Sequence, residues 1–322
     1  MSTLSFSQDA KNELCRIVNK KESVDFAEAY GMLLFSRCFT LADRKVKIEN
    51  GNVARMLADY SASVAGIIPE LETKLHHGKN DSSSYIFSID GEWQRRTLFK
   101  AFGHEPDEEE LRINRENLKG SKEISAFLRG AFLICGVMTD PNKDYHLEMS
   151  VADMDLAEDL CMFISDLDMG IEPAVLEKGG SFIVYIKDSD GIEDFLTLIG
   201  ATSASMELMQ IKMFREAKND INRKANFETA NMDKTYSASA KQTLAIAIIN
   251  DTIGLEELTD ELRAVCELRL SDPEMTLKQM SEKVGISRSG VNHRFQRLIK
   301  IAEECTGGRK IEEMLQGDFG KE

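Results

Sequence analysis

The chain contains 322 residues, 42% of them hydrophobic and 30% charged, a balance that is typical of a soluble globular protein rather than a disordered one. At roughly 100 to 200 residues per domain, this length predicts two or three domains. The formal net charge is −15, which argues against a protein that coats nucleic acid without specificity, because the overall charge repels phosphate.

The sequence also argues against a membrane protein, a metal-binding protein and a protein held together by disulfide bonds. No apolar run approaches the roughly 18 residues that cross a bilayer, and the first residues lack the features of a signal peptide, so we expect a cytoplasmic protein with no membrane partner. The histidines show no zinc-binding spacing, and we expect neither a metal nor any other cofactor. The widely spaced cysteines predict reduced, buried thiols. They are Cys15, Cys38, Cys135, Cys161, Cys266 and Cys305.

In the first part of the chain, short helices alternate with strands. A helix is predicted over residues 7–19, with Ser7 as its N-cap. Val46 and Ile48 alternate with charged residues, as in a half-exposed strand. The further predicted elements are helices over 25–40, 53–68 and 91–103 and strands over 44–50 and 82–90.

The same order of elements recurs after residue 120. Gly31 and Gly130 lie in two similar apolar helices, 99 positions apart. We therefore predict an α+β domain over residues 1–202, made of repeats over about 22–104 and 121–202. A parallel α/β sheet is less favoured, because the strands occur in pairs joined by short turns. The second set comprises helices over 121–138, 154–168 and 191–201, a strand over 145–151 and a hairpin over 174–188.

After residue 202 the pattern is helical only. A helical linker with an Asn-rich stretch is predicted over 203–252, made of helices over 205–234 and 235–252. An all-α helix-turn-helix domain over 253–311 and a tail over 312–322 follow.

Residues 276–304 show the pattern of a helix-turn-helix. Gly285 can adopt the left-handed conformation that the turn requires, and Ser287 is a suitable N-cap for the second helix. A supporting helix over 257–272 ends before Pro273. The apolar stripes of the two motif helices are Leu277, Met280 and Val284, then Val291, Phe295, Leu298 and Ala302.

The second motif helix carries the side chains of a DNA-reading helix. Between Lys283 and Ala302 the sequence has five basic residues and no acid. Arg pairs with guanine and Asn with adenine through two hydrogen bonds, so side chains at the start of the helix are predicted to read bases, and later basic ones to contact phosphates. The base-reading candidates are Arg288, Ser289, Asn292 and His293, and the phosphate candidates are Lys283, Arg294, Arg297 and Lys300.

Two questions stay open for this motif. A helical hairpin with a solvated basic face would serve protein contact instead of DNA binding. Gly290, which costs about 1 kcal/mol inside a helix, indicates close approach either to the first motif helix or to the DNA backbone.

The two apolar glycine helices resemble the LAGLIDADG motif of homing endonucleases. The resemblance lies in AYGMLLFSR (29–37), in LRGAFLICG (128–136) and in the order of helices and strands in both repeats. In that family the penultimate motif residue is an acid that binds a divalent metal for DNA cleavage. Here Ser36 and Cys135 occupy those positions, and a hydroxyl and a thiol cannot replace two hard anionic ligands.

Cleavage is therefore not expected. Asp43 and Asp140 lie beyond the motif ends and are poor substitutes for the missing acids. Helix packing is the simple alternative role for the two glycines. The resemblance favours a DNA-binding saddle, but the repeats are acidic enough that their surface could bind a protein or a small ligand instead.

Over nearly its full length the sequence resembles the WhiA family of sporulation and cell-division regulators. The resemblance lies in the N-terminal SFSQDAKNELCRI, the degenerate LAGLIDADG repeats, the stretch NDINRKANFETANMDK (219–234) and SGVNHR (289–294). It implies a transcription regulator that is not an enzyme, whose helix-turn-helix resembles region 4 of sigma factors. It also implies association with the nucleoid, with cell division and with chromosome segregation.

Five signature residues in the Asn-rich stretch are candidates for DNA contact by the linker. The equally open alternative is that they fix a joint between domains. They are Asn222, Arg223, Asn226, Asn231 and Lys234.

The leading interpretation is a sequence-specific regulator that binds double-stranded DNA. One alternative is a metal-dependent LAGLIDADG endonuclease, against which Ser36 and Cys135 argue. The other is an interaction module that contacts RNA polymerase or another transcription factor without reading DNA.

Overall fold

The computed structural model describes residues 5–39, 45–76, 82–106, 108 and 110–318. The chain divides into two compact units, Met1–Arg215 and Glu216–Glu322. The four-part division into domain, linker, helix-turn-helix domain and tail stays a prediction.

The first unit begins with an entry helix and the first α+β repeat. Its strands form an antiparallel sheet in the order β1-β3-β2, in which Val46 and Leu71 both pair with Phe87. The elements are α1 (Phe6–Leu14), α2 (Glu22–Leu34), β1 (Lys45–Ile48), α3 (Gly51–Ser63), β2 (Glu70–His76), β3 (Ser82–Ser88) and α4 (Glu92–Ala101).

The second repeat has an antiparallel sheet in the order β4-β5-β7-β6. Met149 and Val175 both pair with Val184, and buried side chains from the two repeats join one hydrophobic core. The elements are α5 (Ser121–Cys135), β4 (Gly136–Met138), β5 (Leu147–Val151), α6 (Met154–Ser165), β6 (Ala174–Lys178), β7 (Ser181–Ile186) and α7 (Ser189–Ile199). The predicted α+β class is confirmed.

Several local predictions were wrong. The N-cap of α1 is Ser5 rather than Ser7, and this helix ends at Leu14 rather than at residue 19. Helix α2 ends at Leu34 rather than at residue 40.

Other differences concern a strand and the ends of later helices. Strand β2 was not predicted, although Leu71 and Leu75 alternate with polar neighbours there. Helix α5 ends at Cys135 rather than at residue 138, because Gly136 takes an extended conformation and begins β4. The two helices predicted over 205–252 are one helix, α8 (Thr202–Thr252).

Helices α2 and α5 approach each other closely at their glycines. A Cβ atom at position 31 would lie 2.1 Å from the carbonyl oxygen of Phe127, and one at position 130 would lie 2.3 Å from the carbonyl oxygen of Glu28. The two contacts are reciprocal, since each glycine meets the residue three positions before the other. Only glycine permits this backbone contact.

A buried ion pair joins the same two helices. The Arg129 guanidinium donates to Glu28 through Nε–Oε1 at 2.7 Å and Nη2–Oε2 at 2.9 Å, and both side chains are buried. Asn19 accepts from Arg129 at 2.9 Å and donates to Glu28 at 2.6 Å. Because the charges are paired and hydrogen-bonded, the interior accommodates them, and removal of one partner would leave a buried charge.

The second unit is helical. It has its own hydrophobic core, built from α8, the supporting helix and the two motif helices. None of the helices described by the structure combines the length and apolar character needed to cross a membrane. The helices that follow α8 are α9 (Asp260–Ser271), α10 (Leu277–Val284), α11 (Arg288–Cys305) and α12 (Ile311–Asp318).

Arg269, near the end of α9, connects the parts of this core. Its Nε donates to Gln242 of α8 at 2.9 Å, and its Nη1 donates to the carbonyl oxygens of Pro273 at 2.9 Å and Met275 at 2.8 Å. The guanidinium lies 5.5 Å from the ring centre of Phe295 in α11. Burial lowers the pKa of Arg269, so this network supports a charge that is mostly removed from water.

We expect Gly130→Ala to lower the free energy of unfolding of the first unit by about 3 kcal/mol, because the added methyl group would force the two helix backbones apart. Hydrogen exchange of the α2 and α5 amides measures the change. Gly191→Ala is the control: its nearest neighbour is a side-chain methyl at 3.3 Å, and the change should stay within about 1 kcal/mol. Equal protection of these amides from exchange in both variants would contradict the close approach of the α2 and α5 backbones.

We expect Arg269→Lys to lower the free energy of unfolding of the second unit by about 2 to 3 kcal/mol. An ammonium cannot reach all three acceptors, so buried oxygens lose their partners. Exchange of the α9 and α11 amides is the measurement, and Arg297→Lys, at an exposed position, serves as the control. An Arg269 variant as well protected as this control would refute the connecting role.

Candidate nucleic-acid interface

The turn between α10 and α11 has the predicted local geometry. Gly285 is left-handed, with φ of +71°, and ends α10. The Ser287 hydroxyl accepts from the backbone N–H of Gly290 at 3.1 Å and caps α11. Because the cap fixes where α11 begins, it also fixes which side chains face away from the core.

The predicted base-reading side chains lie together on the solvent side of α11. All four are exposed and fall within its first two turns, while the apolar stripe of the helix is buried. Gln296 is also exposed, and it lies one turn after Asn292. It was not predicted, although its spacing of four residues from Asn292 was visible in the sequence. The four predicted residues are Arg288, Ser289, Asn292 and His293.

The predicted phosphate contacts divide into two groups. Lys283, Arg297 and Lys300 are exposed. Arg294 has a side chain only 16% exposed, and its Nη2 lies 3.4 Å from Oε2 of Glu261 in α9. The structure therefore places Arg294 between two helices rather than in open solvent.

The Asn-rich signature lies on an exposed part of α8. At 3.6 residues per turn, Asn222, Arg223, Asn226 and Lys234 fall within an arc of about 120°. Asn231 lies about 60° beyond Lys234 around the helix. It lines a groove with Tyr236 and other residues. All five signature candidates are therefore exposed on α8, with Asn231 at the edge of the face that the other four share.

The motif ends in the first unit lack carboxylates. Ser36 is fully buried, and its hydroxyl donates to the carbonyl oxygen of Leu33 at 2.7 Å. The Cys135 thiol donates to the carbonyl oxygen of Ala131 at 3.2 Å, and burial raises its pKa to about 12. Both side chains thus bond to their own chain segment in neutral form, which does not fit a divalent metal.

Of the two acids beyond the motif ends, the structure describes Asp140, which is engaged in local hydrogen bonds. Asp140 Oδ1 accepts from the backbone N–H and side-chain amide of Asn142, at 2.9 and 3.1 Å, and these hydrogen bonds lower its pKa. Its carboxylate therefore stabilises a local turn. Asp43 lies outside the described residues. Across the part of the chain that the structure covers, no three His, Cys, Asp or Glu side chains are grouped to hold a metal ion.

Two parts of the chain match known domain families. Residues 221–302 match the WhiA C-terminal HTH domain, and residues 124–218 match the WhiA LAGLIDADG-like domain. These ranges cover the helix-turn-helix described above and most of the second repeat. The resemblance carried by the sequence motifs is confirmed.

Full-length relatives and a solved structure agree with these matches. The probable cell division protein WhiA of Thermoanaerobacter sp. is 33% identical over 313 residues, covering 94% of this chain and 98% of the relative. The protein of the same name from Ruminiclostridium cellulolyticum is 34% identical, covering 93% and 97%. The crystal structure of full-length DUF199/WhiA from Thermatoga maritima shares the fold, with a TM-score of 0.55 at 24% identity, over 94% of this chain and 99% of that one.

The chain thus combines a LAGLIDADG-like domain with a C-terminal helix-turn-helix, in the order and over the length of these relatives. It belongs to the WhiA family.

Proposed function

We propose that this chain is a regulator of transcription that binds double-stranded DNA in a sequence-specific manner and does not cut it. The observation that carries the proposal is the exposed face of α11. Amide and basic side chains lie together there in the first turns of the helix, directly after the motif turn. Relatives named probable cell division protein WhiA support a role in cell division. Action at the nucleoid, in chromosome segregation or in sporulation belongs to the proposal as what the family resemblance implies.

The start of α11 supplies the base readers. In a helix-turn-helix, the N-terminal residues of the second helix reach base edges in the major groove. Arg288 would pair with guanine and Asn292 with adenine, and Gln296 extends the same face by one turn. Ser289 and His293 lie beside them and complete the reading surface.

Phosphate contacts position the helix without reading sequence. We assign this role to Lys283, Arg297 and Lys300, which are exposed. For Arg294 the ion pair with Glu261 supports a different role, in which the side chain holds α11 against α9 and so positions the reading face.

The polar face of α8 offers a second contact with the same DNA. Asn222, Arg223 and Asn226 are exposed there, and amide and guanidinium groups are common donors to phosphate. Lys234 adds positive charge to this face. Asn231 lies at the edge of this face, next to the groove, and is the fifth candidate for DNA contact.

The absence of cleavage rests on the motif ends. Ser36 and Cys135 are neutral and bonded to their own chain segments, so the glycine helices provide structure rather than chemistry. The duplicated domain then contributes additional DNA contact or control by a partner.

Contact with RNA polymerase or another transcription factor is the second candidate function. A groove of about 540 Å³ beside α8 favours it, because its lining is largely apolar and it lies next to the turn that precedes α10. The lining includes Tyr236, Leu244, Ala247 and Pro273.

We expect Arg288→Ala and Asn292→Ala to relax base preference by roughly 1 to 3 kcal/mol each, and Arg297→Ala to weaken binding to all sequences and reduce the salt slope by about one. The measurement is binding of the full chain to a pool of genomic duplexes over a salt series with Mg²⁺ present, followed by sequencing of the retained fragments and their ends.

Intact fragments that share a short motif would support the regulator, and cut ends would support the nuclease instead. Reading-face variants that bind DNA like the unsubstituted chain would favour the protein-contact module. Arg288→Ala and Arg297→Ala variants with the same behaviour would contradict the division between reading and phosphate contact.

The Gly290→Ala variant tests whether this glycine is needed for folding or for close approach to DNA. The three nearest atoms to an added methyl group belong to Ile286 and Ser287, at 3.4 to 3.7 Å, so the protein has room for it. We expect stability to stay equal or to rise by up to about 1 kcal/mol, from the better helix propensity. Affinity for the retained DNA should fall about tenfold if the DNA backbone lies close to this position. Unchanged affinity, measured beside a melting curve, would show that the glycine is not needed for approach.

A further inference from the structure

Strand β2 is an open edge of the first sheet. In the order β1-β3-β2 it pairs with β3 alone, so its other side has no strand partner among the residues that the structure describes. Its residues 70–75 are all exposed, whereas Ser84, Phe87 and Ser88 of β3 are buried. An edge strand carries a row of unpaired backbone N–H and C=O groups, to which another strand can bind.

The side chains of β2 are arranged symmetrically about Thr73. Leu71 and Leu75 lie two positions to either side of it and are 39% and 66% exposed. Glu72 and Lys74 lie one position to either side and carry opposite charges. Because side chains alternate between the two faces of a strand, the leucines share one face with Thr73, and the two charged residues share the other.

This symmetry makes β2 complementary to a second copy of itself in the antiparallel direction. With Thr73 opposite Thr73, Leu71 lies opposite Leu75. Glu72 then lies opposite Lys74, and each pair occurs twice because of the two-fold axis. Directly opposed apolar or oppositely charged side chains stabilise paired strands, and like charges destabilise them. Parallel pairing in register would oppose Glu72 to Glu72 and Lys74 to Lys74, so the charges select the antiparallel direction.

The corresponding edge strand of the second sheet lacks this symmetry. Strand β6 ends the order β4-β5-β7-β6 and, like β2, pairs with the strand that follows it in the chain. Antiparallel pairing about its middle residue, Leu176, would oppose Val175 to Glu177. The outer positions would oppose Ala174 to Lys178. Apolar side chains would then face charged ones, so β6 does not fit a second copy of itself in this way.

We propose that β2 is an interface at which two copies of this chain join their first sheets into one continuous antiparallel sheet. The occupant of the open edge is the β2 strand of the second copy. Backbone hydrogen bonds and the leucine pairs supply affinity, and the Glu72–Lys74 pairs supply specificity for the antiparallel register. The inference concerns self-association and goes beyond the proposed function, which requires no particular oligomeric state.

Charge reversal at the paired positions tests the proposal with the full chain. Association is measured by sedimentation equilibrium without DNA, over a series of protein concentrations. We expect the mass of the unsubstituted chain to approach that of a dimer as its concentration rises. Glu72→Lys and Lys74→Glu should each raise the dissociation constant of the dimer at least about tenfold, because each variant opposes like charges twice.

Restored complementarity separates specific pairing from a general effect of charge. The swapped variant Glu72→Lys/Lys74→Glu should associate like the unsubstituted chain. An equal mixture of the two single variants should form a mixed dimer, because two lysines of one chain then face two glutamates of the other. Glu177→Lys is the control: it changes the net charge as Glu72→Lys does, at an exposed position of β6, and should leave the dissociation constant unchanged.

A chain that stays monomeric at every concentration would overturn the proposal and leave a strand of another protein as the occupant of β2. Dimers that persist equally in both single variants, or single variants that do not associate when mixed, would overturn it as well. Equal loss of association in Glu177→Lys would do the same, since bulk charge would then be responsible. Circular dichroism checks that each variant folds, which we expect because Glu72 and Lys74 are exposed. The measurements contain no DNA, so they fail independently of the proposed function.

Discussion

The close contact between the backbones of α2 and α5 is the constraint on which the first unit depends. Because Gly31 and Gly130 have no side chains, each helix meets a carbonyl oxygen of the other, and the repeats share one core. The paired Glu28 and Arg129 can exist in that core only because the helices are close enough for two hydrogen bonds between them. A duplicated chain with larger residues at the glycine positions would have to separate its halves.

Much of this architecture could be predicted from the sequence, and the reasons are local. The α+β repeats follow from hydrophobic periodicity, and the helix-turn-helix follows from Gly285, Ser287 and two apolar stripes. What the sequence did not reveal depends on residues far apart in the chain. Examples are the Arg269 network and the pairing of Arg294 with Glu261. No spacing rule identifies such partners.

The uneven distribution of charge along the chain matters more for DNA binding than the net charge does. The chain is acidic overall, yet the exposed face of α11 carries basic and amide groups without a carboxylate up to Ala302. Such a distribution repels phosphate from most of the surface and attracts it at one helix. The protein is therefore oriented with α11 towards the DNA before the two make contact. Salt weakens both effects, because exposed charges are screened over about 8 Å at physiological ionic strength.

Helix α8 contains a segment that is accessible to proteases. Residues 216–237 are all exposed, so no tertiary packing protects their backbone hydrogen bonds. A helix of this length is only marginally stable in water without such packing, and its local opening requires little free energy. Limited proteolysis should therefore begin here, and each fragment would keep its own hydrophobic core. A bound partner along the polar face would act as a shield, so the rate of cleavage at this segment reports occupancy without any label.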